Sequence, residues 1–126
     1  MDLARGAFDL RTSEQRYVTT AQYVADRFPS NAVFLTMQHS GTIRHYAGRL
    51  TLRWDAIEAS WFDRSPEVLK RLGFDPYILV EDTEEGDLKT RLGGQTRLGA
   101  LDWAPVAELP LAHRVRIYDP DDAKPR

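Results

Sequence analysis

Two short, nearly unbroken apolar runs, Ala32-Val33-Phe34-Leu35-Thr36-Met37 and Tyr77-Ile78-Leu79-Val80, constrain this chain more than any other feature. A strand without polar alternation must be covered on both faces, which is the condition of a central strand packed between helices. Segments of helical spacing lie beside both runs. Thr12 and Gln15 form a capping-box pair ahead of Tyr17, Val18, Ala21, Val24, Ala25 and Phe28, predicting an amphipathic helix over residues 13–28 that Pro29 stops. Ile43 to Ala47 predicts a short helix ended by Gly48 in a left-handed conformation. Ser65-Pro66 reads as an N-cap with proline at the first helical position, followed by an apolar face of Val68, Leu69 and Leu72 and a stop at Gly73. Thr83 is the expected cap of a further helix, with Glu84 and Glu85 complementing its dipole and Leu88 and Leu92 facing the core.

Two strands of a different kind complete the pattern. Leu50, Leu52 and Trp54 alternate with Thr51 and Arg53, the period of an edge strand with one covered face, and Val115 and Ile117 alternate with Arg114 and Arg116. Between them, residues 93–111 hold isolated apolar anchors among glycines and prolines and read as an ordered excursion. Strands alternating with helices imply right-handed crossovers. The expected fold is α/β, a small three-layer α/β/α sandwich with a mainly parallel four-stranded sheet. With the first strand flanked by the second and third, the order reverses beside the loop that carries His39, and a ligand is expected at that edge. At 126 residues the chain is sized for one domain, expected over residues 1–120, with 121–126 a polar tail without order.

Composition removes several function classes. The chain has 17 basic and 19 acidic residues, intermixed, so no general field favours nucleic acid or anionic lipid. It has no cysteine, which eliminates disulfides, thiolate metal sites and thiol nucleophiles. No apolar run approaches the roughly 20 residues of a membrane span, so no transmembrane segment is expected in this chain. His39, His45 and His113 have no metal-ligand spacing, and phosphate-loop and dinucleotide fingerprints are missing, so neither a metal nor a cofactor is assigned.

The loop after the first run is the candidate site. Gly41 would permit a tight turn, and Ser40 or Thr42 can cap a helix whose free amides receive an anion. Arg44, with Arg49 and Arg53, can add charge-assisted hydrogen bonds to phosphate or carboxylate. His39, Ser40, Gly41, Thr42 and Arg44 are therefore the candidate ligand-binding residues. His39 and Ser40 are adjacent and would point apart on an extended segment, a poor arrangement for base and nucleophile. The acidic run Glu81-Asp82-Thr83-Glu84-Glu85 is set at the same sheet edge as the His39 loop, where it can supply paired carboxylates for acid–base work or simply begin a helix; the helix reading is preferred. No catalytic residue is assigned.

The stretch from Asn31-Ala32-Val33 through Gln38-His39-Ser40-Gly41-Thr42-Ile43-Arg44-His45-Tyr46-Ala47-Gly48-Arg49 to Leu52-Arg53-Trp54-Asp55 resembles the soluble C-terminal region of bacterial multi-pass membrane glycosyltransferases related to the protein-mannosyltransferase family. Pro76 to Asp82, Leu101 to Pro105 and Ile117 to Pro120 fit the same order. The resemblance implies an extracytoplasmic, non-catalytic accessory domain whose partner is a membrane glycosyltransferase, its lipid-phosphate-sugar donor or its acceptor. The family's catalytic acid belongs to a loop between membrane helices, so none of its catalytic residues transfers here. Two other readings stand beside this one: a small enzyme using His39, Ser40 and a carboxylate of residues 81–85 on a phosphorylated substrate, and a structural or oligomerising module marked by an exposed patch around Trp61 or Trp103.

Overall fold

The computed structural model describes residues 15, 17–37, 39–111 and 113–123. Helix α1 covers residues 17–27. After it come β1 (Ala32–Thr36), α2 (Ser40–Thr42) continuing into a π-helical turn (Ile43–Ala47), β2 (Leu50–Arg53), α3 (Ala59–Phe62) and α4 (Ser65–Arg71). The chain then forms β3 (Asp75–Glu81), α5 (Asp82–Leu92), β4 (Ala107–Leu109) and β5 (Val115–Tyr118). The expected capping residue Thr12 lies outside the described residues. Among those described, no helix is long and apolar enough to cross a membrane.

The fold is α/β, with one mixed sheet in the order β2-β1-β3-β5-β4. β1 is parallel to both β2 and β3, as the flanking pattern requires, while β5 is antiparallel to β3 and to β4. The expectation of four mainly parallel strands is thus corrected to five strands, half of whose pairings are antiparallel. The missing element is β4, whose three residues, Ala-Glu-Leu between Pro105 and Pro110, are too few to display a period. A β4–β5 hairpin reverses the chain, so β5 returns antiparallel against β3.

Every residue of β1 is buried, because both of its faces are occupied. Leu35, Ile78 and Val80 pack on one side with Trp54, Phe62, Leu88, Leu92 and Leu98. Phe34, Leu79, Val115 and Ile117 pack on the other with Ala21 and Val24 of α1 and with Ile43 and Ala47 of the π turn. At the β2 edge the expected covered face is missing: Leu50 is 56% and Leu52 38% exposed. Trp54 is buried instead, because the chain leaves the strand there in a 3-10 turn that carries the indole into the core.

Helix boundaries also depart from expectation. Ser65 is inside α4, after Arg64 at the N-cap, and its hydroxyl donates to the Phe62 carbonyl. The buried side of α4 is Ser65, Pro66 and half-buried Leu69, leaving Val68 and Leu72 exposed. α5 is capped by Glu81, not Thr83. The expected tail contains a 3-10 turn at Pro120–Asp122, capped by the Asp119 carboxylate accepting from the Asp121 amide, and Ala123 is buried. Residues 120–123 thus have a cap and a core contact; 124–126 are outside the described residues.

Gly48 stops the π turn with φ +64, and a Cβ there would meet no atom within 4 Å, so only backbone strain opposes a side chain. Gly48→Ala is expected to cost about 1–2 kcal/mol, and Phe34→Ala, at zero exposure, about 3–5 kcal/mol. Urea unfolding followed by circular dichroism measures both.

Candidate functional site

β2 and β3 lie on opposite sides of β1, so the carboxyl end of β1 is a topological switch point, where open α/β sheets hold their ligands. β1 delivers His39 to this edge and β3 delivers Glu81. The His39 Nε2–H donates to Glu81 Oε1 at 2.8 Å, with both side chains fully buried. Glu81 is fixed because it is at once the last residue of β3 and the N-cap of α5. Its carboxylate accepts the Glu84 amide, Glu84 Oε1 accepts the Glu81 amide at 3.0 Å, and Thr83 Oγ1 donates to Glu81 Oε2 at 3.2 Å. The Tyr17 ring of α1 meets the imidazole edge-on, with centroids 4.6 Å apart.

Among the described residues the Thr36 hydroxyl, His39 Nδ1 and Trp54 Nε1 are buried with no hydrogen-bond partner in the protein. All three sit at or just beyond the ends of β1 and β2.

Of the expected site residues, the structure takes His39 and Ser40 inward. Ser40 shares a 2.8 Å hydrogen bond with Thr51 Oγ1, tying α2 to β2. Ser40 and His39 therefore do not pair as nucleophile and base. Neither Ser40 nor Thr42 caps α2: the N-cap position is His39, which makes no side-chain cap bond. The Ser40 amide is spent on the Met37 carbonyl at 3.2 Å. Gly41 is exposed and helical, with open space around a Cβ, so the tight turn expected of it is not what its backbone makes. The helix start expected to receive an anion is thus a three-residue helix that continues as a π turn, without a side-chain cap. Thr42 is half-buried.

What faces solvent is a shallow hollow of about 430 Å³ lined by Gly41, Arg44 and His45. The three arginines of this region have separated in role. Arg49 donates to the carbonyls of Pro29 (2.9 Å), Ala47 (2.7 Å), Phe28 (2.9 Å) and Ala25 (3.3 Å), clamping the end of α1 to the start of β2. Arg53 is paired with Asp55 through two hydrogen bonds of 3.1 and 2.7 Å. Arg44 is exposed and has no hydrogen-bond or ion-pair partner among the described residues.

The acidic run serves structure, as its helix reading anticipates. Glu81 and Glu84 make the capping box, and Glu85 accepts from Arg116 Nη1 at 2.7 Å and from the Tyr118 hydroxyl at 2.6 Å. Burial, and then the Glu85 carboxylate, push the Tyr118 phenol well above its ordinary range. The spacing Glu81-x-x-Glu84 directly after a buried strand, a capping box with glutamate in the place of serine or threonine, is the signal that could have found Glu81 as the cap of α5, but it does not point to His39. Among the described residues no group of three His, Cys, Asp or Glu is placed to hold a metal. No family model, no curated protein and no solved structure matches the chain.

His39→Ala leaves the Glu81 carboxylate buried opposite a void and is expected to cost about 3–5 kcal/mol. Chemical denaturation of the variant checks this; a loss below about 1 kcal/mol would mean that the pair holds nothing together.

Proposed function

We propose that this chain is a non-catalytic binding domain that receives an anionic group, a phosphate or a sugar phosphate, on Arg44 beside Gly41 and His45. One observation carries the reading: of the three arginines around the switch point, Arg44 alone has no hydrogen-bond or ion-pair partner among the described residues, and it lines the hollow there. A guanidinium held at an open concave surface is a ready fork for phosphate oxygens. The resemblance of residues 31–55 to the C-terminal region of membrane glycosyltransferases supports the same reading and suggests its setting, an accessory domain on the extracytoplasmic side whose partner is the enzyme or its lipid-phosphate-sugar donor or acceptor. Helices on both faces of the sheet support reading the fold as a three-layer sandwich, with this hollow at the edge of its middle layer.

The enzymatic reading has the His39–Glu81 pair in its favour, since a carboxylate on one imidazole nitrogen leaves the other as a base. Against it, both side chains are fully buried and Ser40 is held by Thr51. The binding reading asks for no such exposure.

Titration with inorganic phosphate and with glucose 1-phosphate at low salt, followed by amide chemical shifts, tests the proposal. Residues 41–45 should shift in a saturable way, and Arg44→Ala should weaken binding tenfold or more, about 10- to 150-fold for loss of one charge-assisted hydrogen bond of about 1.5–3 kcal/mol. Unmoved amides at millimolar ligand would remove the anion site.

A further inference from the structure

A second hollow, of about 300 Å³, opens at the opposite end of the sheet, on the face covered by α1. The end of α1 contributes Tyr23, Arg27 and Phe28, β3 contributes Tyr77, and Asp119 enters from the end of β5. These meet because β5 runs antiparallel to β3, so that Tyr118 stands opposite Ile78 and Asp119 arrives beside the start of β3. We propose that this hollow is a binding site for a small organic cation of the alkylammonium class, held by the rings of Tyr23, Phe28 and Tyr77 and by the Asp119 carboxylate. It is independent of the Arg44 reading.

The aromatic part is built in place. Phe28 meets Tyr77 edge-on at 4.7 Å between centroids, and Phe34 stacks on Tyr77 at 5.7 Å, which fixes that ring from the core side. The Tyr77 hydroxyl donates to Asp75 at 2.7 Å, so its oxygen is oriented and the ring is enriched beside a negative charge. Aromatic faces carry negative quadrupole potential and attract cations, ammonium groups among them. The chain already uses this property here: the Arg27 guanidinium stands 5.6 Å from the Tyr23 centroid and has no acidic partner among the described residues.

The charge balance points the same way. Asp119 Oδ1 accepts the Asp121 amide at 2.9 Å, and its other oxygen has no hydrogen bond among the described residues. The Asp119 carboxyl is held above its ordinary range by burial first, and then by the charges of Asp121, Asp122 and Asp75, against the pull of the Asp121 amide. Lys70, the ammonium of this region, is engaged by Asp121. Arg27 lines the hollow but is engaged by the Tyr23 ring, and no ion pair joins it to Asp119 among the described residues, so a half-buried carboxylate among like charges faces three rings with no salt-bridge partner; the hollow lies at the small end of the range of about 300–1,000 Å³ that small-molecule sites span.

The test uses tetramethylammonium chloride at constant ionic strength, with tert-butanol as a neutral probe of similar shape, followed by amide shifts of residues 23–28, 77 and 119. Saturable shifts with the cation and not with the alcohol are expected. Asp119→Asn, which keeps an oxygen for the Asp121 amide, and Tyr77→Leu should each weaken binding by about 2- to 30-fold. Arg27→Ala should tighten it, because an internal competitor is removed. Equal response to tert-butanol, saturation by methyl glucoside in place of the cation, unchanged affinity in Asp119→Asn, or weaker binding in Arg27→Ala would each overturn the proposal.

Discussion

The carboxyl ends of β1 and β3 are joined by one fully buried interaction, the hydrogen bond from His39 to Glu81, and much of the architecture around it exists to make that bond affordable. A carboxylate sealed from water is tolerated only when its lone pairs are filled. Here they are filled by the imidazole, by the first turn of α5 and by Thr83. The same glutamate that ends the strand therefore starts the helix, and the direction in which α5 departs is set by the residue that anchors the loop after β1. Tyr17 of α1 closes the pair from above, so the two halves of the sheet and the first helix converge on one contact.

A second consequence concerns the positive charges. Residues 44–53 hold three arginines, which on a sequence basis are equivalent. Folding makes them unequal, since Arg49 reaches the unsatisfied carbonyls at the end of α1 and Arg53 reaches Asp55. A helix end leaves its last carbonyls without intrahelical partners, and a guanidinium with five donors can satisfy several of them together. Arg44 is left exposed to solvent.

The two ends of the sheet differ in kind. At the carboxyl end of β1 the hollow is lined by Gly41, Arg44 and His45. At the opposite end the hollow is lined by the rings of Tyr23, Phe28 and Tyr77 together with Arg27 and Asp119.

The sequence by itself determined the central strands and the helices on their flanks. Ala32 to Met37 and Tyr77 to Val80 contain too little polarity to be anything but covered on both faces, and the order β2-β1-β3 places both runs inside the sheet. The loop after β1 lies at the switch point because β2 and β3 flank β1. Only the tertiary structure decided β4, since three residues between prolines carry no periodic signal, and with β4 the antiparallel course of β5. It decided as well which of the candidate residues face solvent. His39 and Ser40 are polar and lie in a loop, and nothing local distinguishes them from Arg44. Their burial depends on Glu81 and Thr51, which are 42 and 11 residues away in the chain, and a partner brought in by folding cannot be read from the neighbours of a residue in sequence.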